Sequence, residues 1–521
     1  MALDPQNIIK PWPDQSSSNF TKIYHRHPRL EILLIALGTL LFSWPSLVNG
    51  GPFFISDSTA YIRSADAVVS THLLSNTIWS DKRHLYLDTA KEDADQSNEQ
   101  KSSANKSVHP PLMGRSVYYG LFLYLPVIIA GEHAAVFLQS AVVAIVVWLA
   151  LFPWFSGTAR HRALLYLSLC GVLAALTPLP FTVSLIVPDY LTGVACVSLV
   201  LLLCFWNAYP FIERMILISL VFFAAISHNS NLPLLLLLSA SGALLRFCAF
   251  RIELRAILLG FSAVVVGIAG DATFAMAVKY KTGTDPIRPP FLTARLVAEG
   301  PGYNFLRQKC PKAGFEACRY VSRMPYDSDK FLWSTQAHEG VFSATSHGSQ
   351  RLLSRQDAAF AIATLRNAPA DTVTTTMNAA VRQLTLFNYT LWQGRPDKQG
   401  VVGLSNLPPA VAERMGKTLS VKGIMPVQAA RIIAGFVTLV ALMLALLFIL
   451  ESRRSDDPRL QALGLALILV LVALIANAAI AGGLSKPDSR YNLRVIWALP
   501  LFVGLYLIVR NAKVEADAFT N

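Results

Sequence analysis

The sequence predicts an all-α polytopic membrane protein, with about ten transmembrane helices and a mostly helical extracytoplasmic domain. Three observations predict it. Hydrophobic residues make up 53% of the 521-residue chain and charged residues only 15%, where soluble domains run at about 45–50% and about 25%. Ten apolar runs approach or exceed the ~20 residues that a helix needs to cross a bilayer. Basic residues gather in alternate short connections between those runs, which is the positive-inside pattern. That pattern absorbs the net charge of +13. No zinc-finger or RNA-binding signature accompanies it, so nucleic acid is not an expected partner.

The elements follow in order. Residues 1–29 are polar, with Pro5, Pro11, Pro13 and a serine run at Ser16–Ser18. The first apolar run carries no small-residue cleavage site behind it, so it is expected to stay as a helix rather than leave as a signal peptide. This fits a bacterial inner (plasma) membrane. The expected spans are Leu30–Val48, His133–Phe155, Ala163–Pro180, Tyr190–Trp206, Ile212–Ser227, Leu232–Phe247, Ala256–Val278, Pro426–Leu450, Leu460–Gly482 and Val495–Val509. An eleventh candidate, Val117–Ala130, is short and aromatic and contains Pro126. It reads as an interfacial or re-entrant helix.

Charge selects ten spans over eleven. With ten, and both termini cytoplasmic, the inside loops hold Arg160 and Arg162, then Arg214, then Arg246, Arg251 and Arg255, then Arg453, Arg454 and Arg459, and finally Arg510 and Lys513. Lys10, Lys22, Arg26 and Arg29 share that side. An eleventh crossing would invert every cluster after it. The resulting organisation is a cytoplasmic segment 1–29, a transmembrane region 30–278 with a first extracytoplasmic loop at 49–116, an extracytoplasmic domain 279–425, a second transmembrane region 426–510 and a cytoplasmic tail 511–521.

Within the first outer loop, Lys91–Lys106 is polar and reads as a mobile excursion. In the outer domain, Cys310 and Cys318 form a natural disulfide pair on an oxidising face. Cys170, Cys196, Cys204 and Cys248 lie in or beside spans and read as buried small residues. Ser354 is expected to cap a helix. Asp371–Phe387, with Val373, Met377, Val381 and Leu384 at helical spacing, is expected to form another.

Ionisable groups at membrane depth or at span ends are expensive and mark function. Asp57, in GGPFFISDSTAYIRSADA, is either a general base or cation ligand, or the cap of a helix Ser58–Val69. Asp66, further along, reads as solvated. His109 and Arg115, in HPPLMGRSVYYG, are either anion contacts or interfacial basic anchors. Asp189 either opens a helix at its dipole or faces Asp57 across a cavity. His228, in SHNSNLP, is either a turn residue or a ligand. Asp271 sits near the outer end of its span and should face the bundle interior. Arg490 and Arg494 flank Tyr491 on the side where the charge bias forbids basic residues. Arginine binds phosphate bidentately, so a bound anion is the favoured reading over a salt bridge to Asp488 or another acid.

In arrangement, these features resemble the C-fold glycosyltransferases, multi-span enzymes that use polyprenyl-phosphate-linked sugars. The shared layout is an acid after the first span (Asp57), a long first outer loop, an aromatic interfacial helix (Tyr118–Tyr124), a further outer acid (Asp189) and a later outer domain. It covers about the first 280 residues. No acidic pair stands beside Asp57, which departs from the pattern. The resemblance implies transfer of a sugar from a lipid-linked donor to a cell-envelope acceptor, with Asp57 as catalytic base. Arg115, Arg490, Tyr491, Arg494 and His109 would then contact substrate. Asp57, Asp189 and His228 would be the set for a divalent cation, Mg or Mn. Membrane lipids are the other expected partner. The alternative is a transporter or flippase of an anionic lipid or solute, with Asp271 and the arginine pair along its path.

Overall fold

The computed structural model describes residues 28–70, 77–80, 115–154, 158–324, 326–389, 392, 396–397, 400–401 and 407–518. His109 and the stretch Lys91–Lys106 lie outside these. The described chain is helical, apart from a two-residue pairing of Pro396–Asp397 with Gly400–Val401.

The first half runs α1 (Pro28–Asn49), α2 (Ser56–Ser70), α3 (Val117–Ala130), α4 (Glu132–Leu151), α5 (Ala159–Leu176), α6 (Leu179–Ser184), α7 (Tyr190–Phe205), α8 (Phe211–Ser227), α9 (Asn231–Phe247) and α10 (Leu254–Thr282). The segment that follows α10, called the outer segment after its expected side, holds α11 (Phe291–Ala298), α12 (Pro301–Lys309), α13 (Ser328–Trp333), α14 (His347–Asn367), α15 (Pro369–Thr385) and α16 (Pro409–Gly416). The chain closes with α17 (Val427–Ser452), α18 (Pro458–Leu484), α19 (Ser489–Ile496) and α20 (Ala498–Ala518).

Eight stretches among the described residues are long and apolar enough to cross a membrane. They are α1, α4, α5, α7, α10, α17, α18 and the joined α19–α20. The other two expected spans, α8 and α9, are helices of 17 residues each. The protein is therefore a multi-pass, all-helical membrane protein. Burial separates centre from rim. Every residue of α7 except Cys204 is buried, as expected of a helix that is hydrophobic all round and sits at a bundle centre. On α17, Ile432, Phe436, Leu439, Met443, Leu446, Leu447 and Leu450 are exposed, which only a surrounding lipid phase makes favourable.

Both ends of α3 meet the same end of the bundle. Ser116 caps it and donates to the Ile226 carbonyl at 2.9 Å. Beyond its far end, Glu132 pairs with Arg414 of the outer segment at 2.8 Å. Gly131, at φ 77°, turns the chain between them, and glycine adopts that backbone without strain.

The outer segment has its own core, built on Leu306, Phe331, Phe342 and Phe360. The Cys310–Cys318 disulfide is formed. Three local expectations need correction. Ser354 lies inside α14, whose cap is Ser346. Asp57 lies in the first turn of α2 rather than capping it. Cys248 is exposed at the end of α9. Helix α15 forms as expected, and its apolar stripe faces outward. Val373, Met377, Val381 and Leu384 are exposed, while Thr372, Ala379 and Gln383 are buried. The stripe shares the outer surface with α17, whose Gly435 packs on Phe387 just beyond α15.

Candidate functional site

Asp57 and Asp189 are brought together by backbone. The link from α1 to α2 pairs with the link from α6 to α7: Phe53 N–H donates to the Ser184 carbonyl at 2.9 Å, and Ile186 N–H donates to the Phe53 carbonyl at 3.1 Å. Each acid follows its strand-like link by a few residues, so the pairing sets both at one end of the bundle. On the other side, α19 is fixed by Gln383, which donates to the Asp488 carbonyl at 2.8 Å and accepts from Asp488 N–H at 2.8 Å. Asp488 caps α19 through the Arg490 N–H. Gly193 lets α19 press onto α7, since a Cβ there would stand 2.5 Å from the Arg494 carbonyl.

The result is a connected network of charges. Asp189, almost wholly buried, receives Arg490 Nε at 3.2 Å and Arg494 Nη1 at 3.1 Å. His228 Nε2 lies 3.5 Å from the same carboxylate. Arg490 also reaches Asp57, at 3.9 Å, and Asp57 is ion-paired with Arg115. Arg494 is further held by Asn477 Oδ1 at 2.9 Å and Ser230 Oγ at 3.1 Å. The guanidiniums of Arg490 and Arg494 lie 5.1 and 4.9 Å from the Tyr491 ring, so that ring sits against two cations.

Protonation follows from these contacts. Burial alone would raise Asp189, but Arg490, the His228 hydrogen bond and Arg494 outweigh it and hold the carboxyl well below the usual range. Burial pushes His228 down, and the neighbouring arginines add to that despite the pull of Asp189. Its Nδ1 accepts the Ser230 N–H at 3.2 Å, which leaves Nε2 as the N–H that faces Asp189.

Apart from Asn477, these groups line one cavity of about 940 Å³, between the end of the bundle and the outer segment. Asp57, Arg115, Asp189, His228, Asp271, Arg490, Tyr491 and Arg494 all reach it. Asp271 is paired with Arg288 of the outer segment at 2.6 Å. Of the two readings of Arg490 and Arg494, the salt bridge is present: both bridge to Asp189, and Asp488 serves as a cap. The cation set fits poorly. Among the described residues no group of three or more His, Cys, Asp or Glu side chains is arranged to hold a metal ion. Arg490 stands between the two carboxylates, and His228 has both ring nitrogens engaged.

Sequence reasoning missed three contributors. Asn477 was detectable as a polar residue deep in an apolar span. Ser230 and Arg288 carried no such signal. It also misread Asp66, which is buried and accepts from Tyr124 at 2.6 Å, Thr77 at 2.6 Å and Ser80 at 2.5 Å.

Fold and site together define a multi-pass membrane protein with a charged cavity at one end of its helical bundle. No family model, curated protein or solved structure matches the chain.

Proposed function

We propose that the chain is a glycosyltransferase of the bacterial inner membrane that moves a sugar from a polyprenyl-phosphate donor to a cell-envelope acceptor on the extracytoplasmic face. The observation that carries the reading is the convergence of Asp57, Asp189, Arg490 and Arg494 on a single cavity. That cavity lies where a lipid-borne headgroup meets an outer domain. In this reading ten helices span the membrane with both termini cytoplasmic. Helix α3 lies at the interface, and the outward apolar stripe of α15 rests in the outer leaflet.

Asp57, about a quarter exposed and oriented by Arg115, takes the proton of the acceptor hydroxyl as its oxygen attacks the anomeric carbon. The bond from that carbon to the phosphate oxygen breaks, and its electron pair leaves on the phosphate. Arg490, on the cavity side of Asp189, turns from the carboxylates toward that developing charge. Arg494, fully buried, is a positioning residue that holds Asp189. No step is assigned to a metal ion, because the two carboxylates are already matched to guanidiniums. Asp271, paired with Arg288, gives no particular support to a transport path.

Two measurements test this. Purified protein given a radiolabelled polyprenyl-phosphate sugar and cell-envelope acceptors should transfer the label. Asp57→Asn should abolish transfer while eluting as folded protein, and full activity in that variant overturns the assignment. For topology, in a chain whose free cysteines are replaced by serine, a membrane-impermeant thiol reagent should label Arg366→Cys in intact cells but not Arg454→Cys. The reverse pattern overturns the ten-span arrangement.

A further inference from the structure

Arg295 is the other cation in the cavity wall that demands an account. It lies on α11 of the outer segment and is only 3% exposed. Its Nε donates to the Gly482 carbonyl at 2.9 Å, and Nη1 reaches Thr376 Oγ1 at 3.4 Å. Nη2 is buried with no hydrogen-bond partner. No carboxylate among the described residues pairs with it. Glu299, one turn along, acts on Arg295 only through its field and is ion-paired with Arg382 at 3.1 Å. Asp357 is spent on the start of α11, accepting from Thr293 N–H and Thr293 Oγ1, both at 2.7 Å.

A buried charge without a counterion is among the costliest arrangements in a protein, and arginine does not escape it by losing its proton. The other buried or half-buried arginines of the cavity wall have an acid: Arg115 has Asp57, and Arg490 and Arg494 share Asp189, while of the two exposed ones Arg288 has Asp271 and Arg355, without an ion pair among the described residues, stands in solvent. Helix α18 relates the two regions. Arg494 is bound by Asn477 and Arg295 by the carbonyl of Gly482, five residues on, which is an axial step of about 7.5 Å. The cavity thus carries a cluster of ion-paired arginines at one place and, about one and a half helical turns along α18, a buried cation with no ion pair among the described residues.

We propose that Arg295 is a second anion-binding subsite of this cavity. It takes a phosphate or carboxylate oxygen of a ligand, with the free Nη2–H as donor and the guanidinium charge as counterion. The ligand that fills the cavity then carries an anionic group apart from the one that Arg490 would meet. This holds whether or not the protein transfers sugars, since it concerns binding alone.

The test is calorimetric titration of the purified full-length chain with inorganic pyrophosphate, and separately with succinate. The first supplies phosphate oxygens and the second carboxylates, so the pair tells the two chemistries apart. Wild type should bind at least one probe. Arg295→Met should weaken that binding tenfold or more, and Arg295→Lys should weaken it less because it keeps the charge. Arg490→Met should leave an Arg295-dependent component in place. If Arg295→Met does not accumulate as folded protein, Arg295→Gln, which keeps a donor toward Gly482, carries the same expectation. The proposal is overturned if wild type binds neither probe, or if Arg295→Met and Arg295→Gln bind like wild type.

Discussion

Removing the charge of Asp189 should be the most damaging single change at the site. Asp189→Asn keeps the size of the side chain but leaves Arg494 without an anion and Arg490 with only the distant Asp57. The side chains of Asp189 and Arg494 are only 2% and 1% exposed, so water cannot screen what remains. Breaking a buried pair by removing one partner costs about 3–5 kcal/mol. Asp57→Asn provides the internal comparison. There both side chains of the Asp57–Arg115 pair are 24% exposed, and a pair so open to solvent contributes about 1 kcal/mol or less. The assay is unfolding of purified protein followed by tryptophan fluorescence, read as rank order because polytopic proteins seldom unfold reversibly. Asp189→Asn should unfold well below wild type, with Asp57→Asn close to it. The double variant Asp189→Asn, Arg494→Gln should lose less than the two single losses added, because the orphaned charge leaves with its partner. If Asp189→Asn matches Asp57→Asn, or if the double variant is additive, the network does not carry the energy assigned to it.

Three further outcomes follow from the geometry. His228 is held below its ordinary 6.5 by burial, so below that pH the unfolded chain takes up a proton that the folded chain refuses. Stability should therefore fall as pH drops through about 6.5, and a pH series of unfolding midpoints should be flatter for His228→Gln. Gly193→Ala should destabilise by about 1–3 kcal/mol through overpacking against the Arg494 carbonyl, although alanine in a helix normally gains about 1 kcal/mol. The sign of the change in unfolding midpoint checks this. Asp66→Asn should cost about 1–3 kcal/mol, since the amide end cannot accept from the hydroxyl it then faces, Ser80 at one oxygen or Tyr124 and Thr77 at the other, and the same unfolding assay reads it.

What was legible in the sequence, and what was not, divides along one physical line. The spans were legible because length and apolarity are local, and α1, α4, α7, α17 and α18 lie close to where they were expected. The site residues were legible singly because charge near a membrane is costly wherever it falls. Their partners were not, since Arg490 and Asp189 meet only through the pairing of Phe53 with Leu185 and the grip of Gln383 on α19. Asp66 was misread for a related reason: two of its three hydroxyl donors, Thr77 and Ser80, lie 11 and 14 residues further along the chain. Helix α15 shows the deeper limit. Its period was legible and the side its stripe faces was not, because the stripe turns inward only where water surrounds the protein. Where lipid surrounds it, an apolar stripe marks either face, and Val373 to Leu384 point outward while Gln383 turns in. In such a chain the interior is marked by polar residues instead. Asp189, Arg494, Asn477, Gln383 and Arg295 are all buried. The first four bind one another or the helix that carries them, and that closed set is what makes the open N–H of Arg295 informative.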